Sequence, residues 1–98
     1  MEKKYYTYVL KCKDESLYCG YTDNLIRRVQ CHNDGKGAKY TRAHRPCELV
    51  YYEEYDTKSE AMSREYAIKH MTRKEKEQLI AGGEDVYDNI KRMYDSKK

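Results

Sequence analysis

The sequence of 98 residues contains no phenylalanine and no tryptophan, so its twelve tyrosines must supply the large aromatic rings of its core. A tyrosine packs its ring against apolar neighbours while its hydroxyl group reaches water or a hydrogen-bond partner. A chain of this length forms one domain and buries only about 60–68% of the surface that its unfolded form exposes. We therefore expect most of the tyrosines to pack a thin core, which leaves one or two for a function.

The sequence also has no apolar run of membrane-spanning length, and its first four residues, MEKK, do not begin a signal peptide. Its four cysteines form no C-x-x-C pair and have no histidine at zinc-finger spacing, which argues against a structural zinc ion. We expect a cytoplasmic protein without a membrane partner, since thiols stay reduced in that compartment. The thiols expected to be reduced and mostly buried are those of Cys12, Cys19, Cys31 and Cys47.

Positive charge is concentrated in one part of the chain. The formal net charge is only +3, but residues 27–45 contain six arginines and lysines and a single acidic residue, a net charge of +5. A local cationic surface suits a polyanion such as nucleic acid, although an ordinary solvated surface would have the same composition. Within this basic segment, the residues predicted to bind nucleic acid are Arg27, Lys36, Lys39, Tyr40, Arg42 and Arg45.

Hydrophobic periodicity predicts three strands and four helices in the order ββα-loop-βαα, followed by an extra C-terminal helix. The strands are predicted at residues 5–12, 17–21 and 49–55, and the helices at residues 24–33, 57–71, 72–81 and 84–94. Residues 34–41 contain two glycines and no hydrophobic pattern, which predicts a loop. The fold class is therefore α+β, a three-stranded antiparallel sheet flanked by helices, with residues 1–81 as the main domain and 82–98 as its helical extension.

Capping residues mark the ends of these helices. Thr22 or Asp23 is expected to cap the first helix, while Thr57–Glu60 and Thr72–Glu75 have the spacing of capping boxes. Gly82-Gly83 is expected to end the helix that precedes it.

Two tyrosines, Tyr8 and Tyr18, lie in the two strands of the predicted hairpin. If the loop has an odd number of residues, such as residues 13–15, these tyrosines share one face of the sheet and lie two positions apart on a diagonal. A loop of two or four residues would place them on opposite faces. Gly20 weakens the second strand and lets other backbone or a ligand come close. The alternative to a functional pair is two tyrosines of the core.

Arg28 and His32 are spaced i, i+4 and therefore share one face of the first predicted helix. An arginine guanidinium group can hold a phosphate with two parallel hydrogen bonds and stabilise charge in a transition state. A histidine can accept or relay a proton near neutral pH. The alternative is a solvated helix face without a function.

Glu65 lies in the apolar stripe of its predicted helix. Three of its four neighbours at i±3 and i±4 are the apolar residues Ala61, Met62 and Ile68. A carboxylate in such a stripe must be paired, protonated or bound to a cation. One account is pairing with Lys69 or Arg28. The other is Mg²⁺, which a single carboxylate can hold together with several waters and a substrate phosphate.

Several short motifs of this chain occur in a characteristic order. They are Tyr6-Thr7-Tyr8, Tyr18-Cys19-Gly20, Asn24-Leu25 with Arg28-Val29, His32, and Arg64-Glu65 with Ile68-Lys69. In their order and spacing these residues resemble the GIY-YIG nuclease superfamily, and specifically its small stand-alone bacterial members, over roughly residues 5–71. Tyr6 stands in the place of the glycine of the first motif, and Cys19 in the place of the isoleucine of the second.

The resemblance implies a metal-dependent endonuclease that hydrolyses phosphodiester bonds with a single divalent ion, Mg²⁺ or Mn²⁺. It implies that Glu65 binds the ion, that Arg28 stabilises charge on the phosphate, and that Tyr8 orients or deprotonates the attacking water. Tyr18 and His32 would assist in proton handling. The basic segment would hold the nucleic-acid backbone, mostly without contacting base edges.

We expect no separate recognition domain beside the predicted nuclease domain, and we therefore expect cleavage that is structure-directed or weakly sequence-specific. DNA is the expected partner in preference to RNA, and we expect a monomer that a partner protein could recruit. Two alternatives stay open. The chain could be a nucleic-acid-binding module that keeps the fold without cleaving, or a protein-interaction domain with Val86, Ile90 and Met93 as its docking face.

Overall fold

The structure is a computed structural model that describes residues 3–95, so the last three residues of the predicted extension lie outside it. In chain order its elements are β1 (Tyr5–Cys12), β2 (Leu17–Thr22), α1 (Leu25–Asn33), α2 (Lys39–Ala43), β3 (Cys47–Tyr55), α3 (Lys58–Lys69), α4 (Arg73–Ala81) and α5 (Glu84–Asp95). All of the predicted strands and helices are present, and α2 is an additional helix. The predicted α+β fold class is confirmed.

The three strands form one antiparallel sheet in the order β2-β1-β3, so β1 is its centre. Tyr8 pairs with Gly20 and Leu10 pairs with Tyr18. Tyr8 and Tyr18 therefore share a face and lie diagonally two positions apart, as an odd-length loop requires. A bulge opposite Val9 and Leu10 interrupts the pairing of β1 with β3.

Helices cover both faces of this sheet. On the face that carries Tyr8, the buried core includes Leu10, Leu25, Val29, Leu49 and Ile90, which come from the sheet, α1 and α5. On the opposite face, the core consists of Val9, Cys19, Tyr51 and Ile68, with side chains of α4 packed against it. All four cysteines are free thiols, and all but Cys31 are buried, as expected.

Besides shifts of one or two residues at the ends of several elements, two local features differ from the prediction. Residues 34–41 were expected to be a loop, but α2 begins at Lys39 inside that segment. The first helix is capped by Asn24, whose side chain accepts a hydrogen bond from the Arg27 amide at 3.1 Å, and not by Thr22 or Asp23. A side-chain amide oxygen caps a helix as well as a hydroxyl or carboxylate oxygen does, so Asn24 can take this position although only Thr22 and Asp23 were expected there.

The two predicted capping boxes differ in how fully they form. At the start of α4 both hydrogen bonds between Thr72 and Glu75 are present. At the start of α3 the Glu60 amide donates to the Thr57 hydroxyl, and that hydroxyl donates to the Glu60 carboxylate at 2.9 Å. Gly82 ends α4, as predicted.

The face of α5 that was a candidate docking surface packs on the protein's own sheet. Ile90 is buried in the core, and Val86 and Met93 pack against the same cluster. This burial corrects the expectation that the face is open to a partner, because it is already covered by β3 and α1. Among residues 3–95, no helix is both long enough and apolar enough to cross a membrane.

Candidate active site

The hydroxyl group of Tyr8 lies at the centre of the candidate site. Tyr8 is in the central strand, and its ring extends over Gly20, where an added Cβ would lie only 2.5 Å from the hydroxyl oxygen. The side chain is 1% exposed, and its oxygen lies 2.8 Å from His32 Nε2 and accepts a hydrogen bond from Arg28 Nε at 3.4 Å. Burial raises the pKa of Tyr8 to about 12, even though the adjacent Arg28 acts in the opposite direction.

His32 is completely buried beneath Tyr8. Its Nδ1 atom lies 2.6 Å from the Thr41 hydroxyl oxygen, so each ring nitrogen faces one hydroxyl group. Burial, together with the charge of Arg28, lowers the pKa of His32 to about 4. The imidazole is therefore neutral at pH 7 and carries one proton.

A cavity of about 530 Å³ opens in front of Tyr8. Its walls include Tyr8, Tyr18, Arg28 and Glu65. The structure thus brings together four of the five residues that the sequence suggested for catalysis and metal binding. The fifth, His32, is not at the cavity surface but contacts the cavity through the Tyr8 hydroxyl.

Glu65 reaches this cavity from α3, on the other side of the sheet edge. Its side chain is 18% exposed, and its Oε1 lies 3.3 Å from the Lys69 ammonium group. Of the two pairings that the sequence allowed, the one with Lys69 is formed. Asp23, the other carboxylate at the cavity, is paired with Lys3 at 2.8 Å.

The donor set fits a single hard cation. Within residues 3–95, no group of three or more His, Cys, Asp or Glu side chains is arranged to hold a metal ion. Mg²⁺ does not need such a group, because it keeps much of its water and binds through one or two carboxylates and substrate phosphates. Glu65, a mostly buried carboxylate at a cavity that also contains Arg28, offers this kind of ligand.

The residues predicted to bind nucleic acid are distributed beside the cavity. Arg27, Lys36, Lys39 and Arg42 are exposed. Tyr40 is also exposed, and its ring lies nearly parallel to that of Tyr18, with 6.1 Å between the ring centroids. The contacts of Tyr40 therefore bring α2 next to the cavity.

Arg45 is exposed and also makes hydrogen bonds within the protein. Its guanidinium group donates to the Arg42 carbonyl at 3.1 Å and to the Asn33 carbonyl at 3.4 Å. An added Cβ at Gly35, which has φ +80°, would lie 2.8 Å from the same guanidinium group. Arg45 thus ties the end of α1 to α2, in addition to being exposed to solvent.

Thr41 is the residue of this site that the sequence did not indicate. It is fully buried and touches His32, but it lies in a glycine-containing segment without hydrophobic periodicity. The sequence analysis assigned the neighbouring Lys39 and Tyr40 to nucleic-acid binding and gave Thr41 no role.

Most of the sequence matches one class of catalytic domain. The chain belongs to the GIY-YIG family, because the family model described as the GIY-YIG catalytic domain matches residues 4–78. Membership of this family indicates a nuclease.

The particular relatives are UPF0213 proteins. The chain is 59% identical over 76 residues to UPF0213 protein CPE1444 of Clostridium perfringens, and the matched segment covers 78% of this chain and 82% of the relative. It is 57% identical over 76 residues to UPF0213 protein YazA of Bacillus subtilis, covering 78% of this chain and 77% of the relative. The solution NMR structure of UPF0213 protein BH0048 from Bacillus halodurans is 46% identical, with a TM-score of 0.56 over 88% of this chain and 92% of the other.

Proposed function

We propose that this protein is a metal-dependent endonuclease that hydrolyses phosphodiester bonds in nucleic acid, DNA in preference to RNA. The observation that carries the proposal is the convergence of Tyr8, Arg28 and Glu65 on one cavity, although they come from three separate elements. A phosphodiesterase needs a proton acceptor, a cation for the phosphate and a ligand for a metal ion, and these three residue types meet those needs. Membership of the GIY-YIG family supports the same conclusion.

Tyr8 has the role of orienting the attacking water and accepting its proton. Since its pKa is raised to about 12, its hydroxyl is protonated at neutral pH and must give up its own proton as it accepts another. His32 Nε2, 2.8 Å away, is the group placed to receive that proton. Tyr18 lines the cavity beside Tyr8 and assists in orienting the water.

Arg28 and Glu65 act on the phosphate group. The Arg28 guanidinium lines the cavity while its Nε contacts Tyr8, so it can bind a phosphate oxygen close to the proton acceptor. Glu65 would hold one Mg²⁺ or Mn²⁺ ion, which when bound supplies a Lewis acid for the phosphate and the leaving oxygen. The exposed cations of the basic segment, Lys39 and Arg42 among them, hold the backbone beside the cavity without sequence specificity. We further expect a monomer, with structure-directed cleavage or recruitment by a partner protein.

Cleavage assays on purified protein test this function. Labelled linear, flapped and branched DNA, and RNA of the same designs, are incubated with and without Mn²⁺ or Mg²⁺. Cleavage is expected only with metal, and Tyr8→Phe, Arg28→Lys and Glu65→Gln should each reduce its rate by at least about 100-fold. Tyr87→Phe and Glu77→Gln make the same chemical changes at exposed positions of α5 and α4 and should leave the rate unchanged.

Circular dichroism establishes that each variant is folded. If the three site variants cut every substrate as fast as the parent, the assigned site is wrong. If the parent binds these nucleic acids and cuts none of them with either metal, the protein is a binding module that keeps the fold.

A further inference from the structure

A chain of hydrogen-bonded groups leads from the cavity into the protein. The Tyr8 hydroxyl lies 2.8 Å from His32 Nε2, and His32 Nδ1 lies 2.6 Å from the Thr41 hydroxyl. The Thr41 hydroxyl in turn donates to the Ala38 carbonyl at 2.9 Å. Tyr8, His32 and Thr41 are each at most 1% exposed, so no bulk water substitutes for any of these contacts.

The positions of the protons in this chain follow from counting donors. A neutral imidazole has one N–H, and each hydroxyl group has one O–H. Two oxygens at 2.9 Å repel each other unless a hydrogen lies between them, so the Thr41 proton must point to the Ala38 carbonyl. The contact between Thr41 and His32 then needs its proton from His32 Nδ1. Nε2 is left without a proton and accepts a hydrogen bond from the Tyr8 hydroxyl.

The surrounding segment is shaped to keep Thr41 against the imidazole. An added Cβ at Gly37 would lie 2.2 Å from His32 Nδ1 and 2.9 Å from His32 Cα, so only a glycine lets the loop pass this close. The loop leads directly into α2, where the Ala38 carbonyl also accepts the Arg42 amide at 3.1 Å. Ala38 thus accepts from both Thr41 and Arg42, which fixes the first turn of the helix.

We propose that Thr41 is a positioning residue that holds His32 in the Nδ1–H tautomer, so that the bare Nε2 accepts the Tyr8 proton. This inference rests on the proposed nuclease function for its catalytic meaning. With its proton directed to His32, the Tyr8 oxygen presents its lone pairs to the cavity, where Arg28 Nε also points at it. In the other tautomer, Nε2–H would donate to Tyr8, and the hydroxyl would have no acceptor among residues 3–95 for its own proton.

The tautomer can be measured without any cleavage assay. In protein labelled with ¹⁵N-histidine, two-dimensional NMR at pH 7 distinguishes the protonated from the bare ring nitrogen of His32. We expect the proton on Nδ1 in the parent and in Thr41→Ser, which keeps the hydroxyl. Thr41→Val keeps the shape but removes the acceptor, and we expect the proton to move to Nε2.

Thr7→Val is the matched control. Thr7 is also fully buried and donates a hydrogen bond to a backbone carbonyl, that of Ala61 at 2.7 Å, but on the opposite face of the sheet. Its loss should destabilise the fold to a similar extent and leave the His32 tautomer unchanged. A proton on Nε2 in the parent, or a Thr41→Val variant with an unchanged tautomer, would overturn the inference.

Kinetics then connect the tautomer to the reaction. Thr41→Val should lower kcat by at least about 100-fold with KM changed less than about twofold. Thr41→Ser, which keeps the hydroxyl, should keep most of the kcat of the parent. If the tautomer shifts as expected while no variant or parent cuts any substrate, Thr41 keeps its positioning role and the nuclease function is wrong. If the tautomer shifts and kcat does not change, proton acceptance by His32 is not part of the reaction.

Discussion

Tyr8 reaches the cavity because the residue opposite it in β2 has no side chain. The aromatic ring occupies the space that a Cβ at Gly20 would need, and the hydroxyl thereby comes within reach of both Arg28 and His32. The sequence predicted a close approach at Gly20 by backbone or ligand. The group that approaches is the catalytic candidate itself.

Gly20→Ala is therefore expected to displace Tyr8. An added methyl group 2.5 Å from the Tyr8 oxygen and 2.7 Å from the adjacent ring carbon cannot be accommodated without moving a buried ring. We expect the free energy of unfolding to fall by about 1–3 kcal/mol, measured by urea denaturation. The cleavage rate should fall at least about tenfold in the variant that remains folded, since the hydroxyl loses its position between Arg28 and His32.

Gly82→Ala is the control for this substitution. Gly82 has a right-handed backbone with φ −76°, and the nearest atoms to an added Cβ lie at 3.4 Å. The same added methyl group should change the free energy of unfolding by less than about 1 kcal/mol and leave cleavage unchanged. A Gly20→Ala variant that matches Gly82→Ala in both measurements would show that Tyr8 has room to move.

The sequence predicted which residue types meet, but not how deeply each lies. The sequence left the length of the hairpin loop open, and the odd length that places Tyr8 and Tyr18 on one face is the one that forms. The i, i+4 spacing of Arg28 and His32 predicted a shared helix face. It could not predict that Gly37 and Thr41, in the segment after that helix, cover His32 and remove it from solvent.

Among the elements, the sequence predicted α5 but did not predict α2. α5 was predicted from the apolar spacing of Val86, Ile90 and Met93, but periodicity does not say which surface such a face will cover. α2 was not predicted, because a helix of five residues with one buried side chain has no apolar stripe. Tertiary contacts hold α2 in place, namely those with α1 and the contact of Tyr40 with Tyr18 of β2.

Because its apolar face is part of the core, α5 is expected to contribute strongly to stability. Ile90 is 6% exposed and packs beside Leu49 and Val29. Ile90→Ala should lower the free energy of unfolding by about 2–4 kcal/mol, and Ile90→Val by about 0.5–1.5 kcal/mol. Urea denaturation of both variants measures the difference.

Tyr87→Ala tests whether the effect is specific to the buried face of the same helix. Tyr87 is 64% exposed, so its replacement should cost less than about 1 kcal/mol. Equal losses of stability for Ile90→Ala and Tyr87→Ala would mean that α5 is held loosely and that its apolar face is available to a partner.

At the scale of the whole molecule, a nearly neutral body carries its excess positive charge beside the cavity. The net charge of the chain is +3, while the basic segment alone has +5. Lys39 and Arg42 are exposed on α2, next to the Tyr40 ring that faces Tyr18. Nucleic acid bound at the cavity would therefore run across α2, and its affinity would depend on salt through the counterions that these cations release.

Replacing Lys39 and Arg42 together with alanine is expected to weaken binding and its dependence on salt. Each lost phosphate contact on duplex DNA makes the negative slope of log K against log salt concentration shallower by about 0.9, so the slope of the double variant should be shallower by about 1.8. Fluorescence anisotropy with Glu65→Gln as the parent, in the absence of divalent metal, measures binding without cleavage.

The double variant Lys74→Ala and Lys91→Ala makes the same change in net charge on α4 and α5 and is the control. If the basic segment contacts the backbone, this control keeps the slope of its parent, because long-range attraction is screened beyond about 8–10 Å at physiological salt. Equal changes in the two double variants would mean that net charge alone attracts the nucleic acid. An unchanged slope in the Lys39 and Arg42 variant would place the bound backbone elsewhere on the protein.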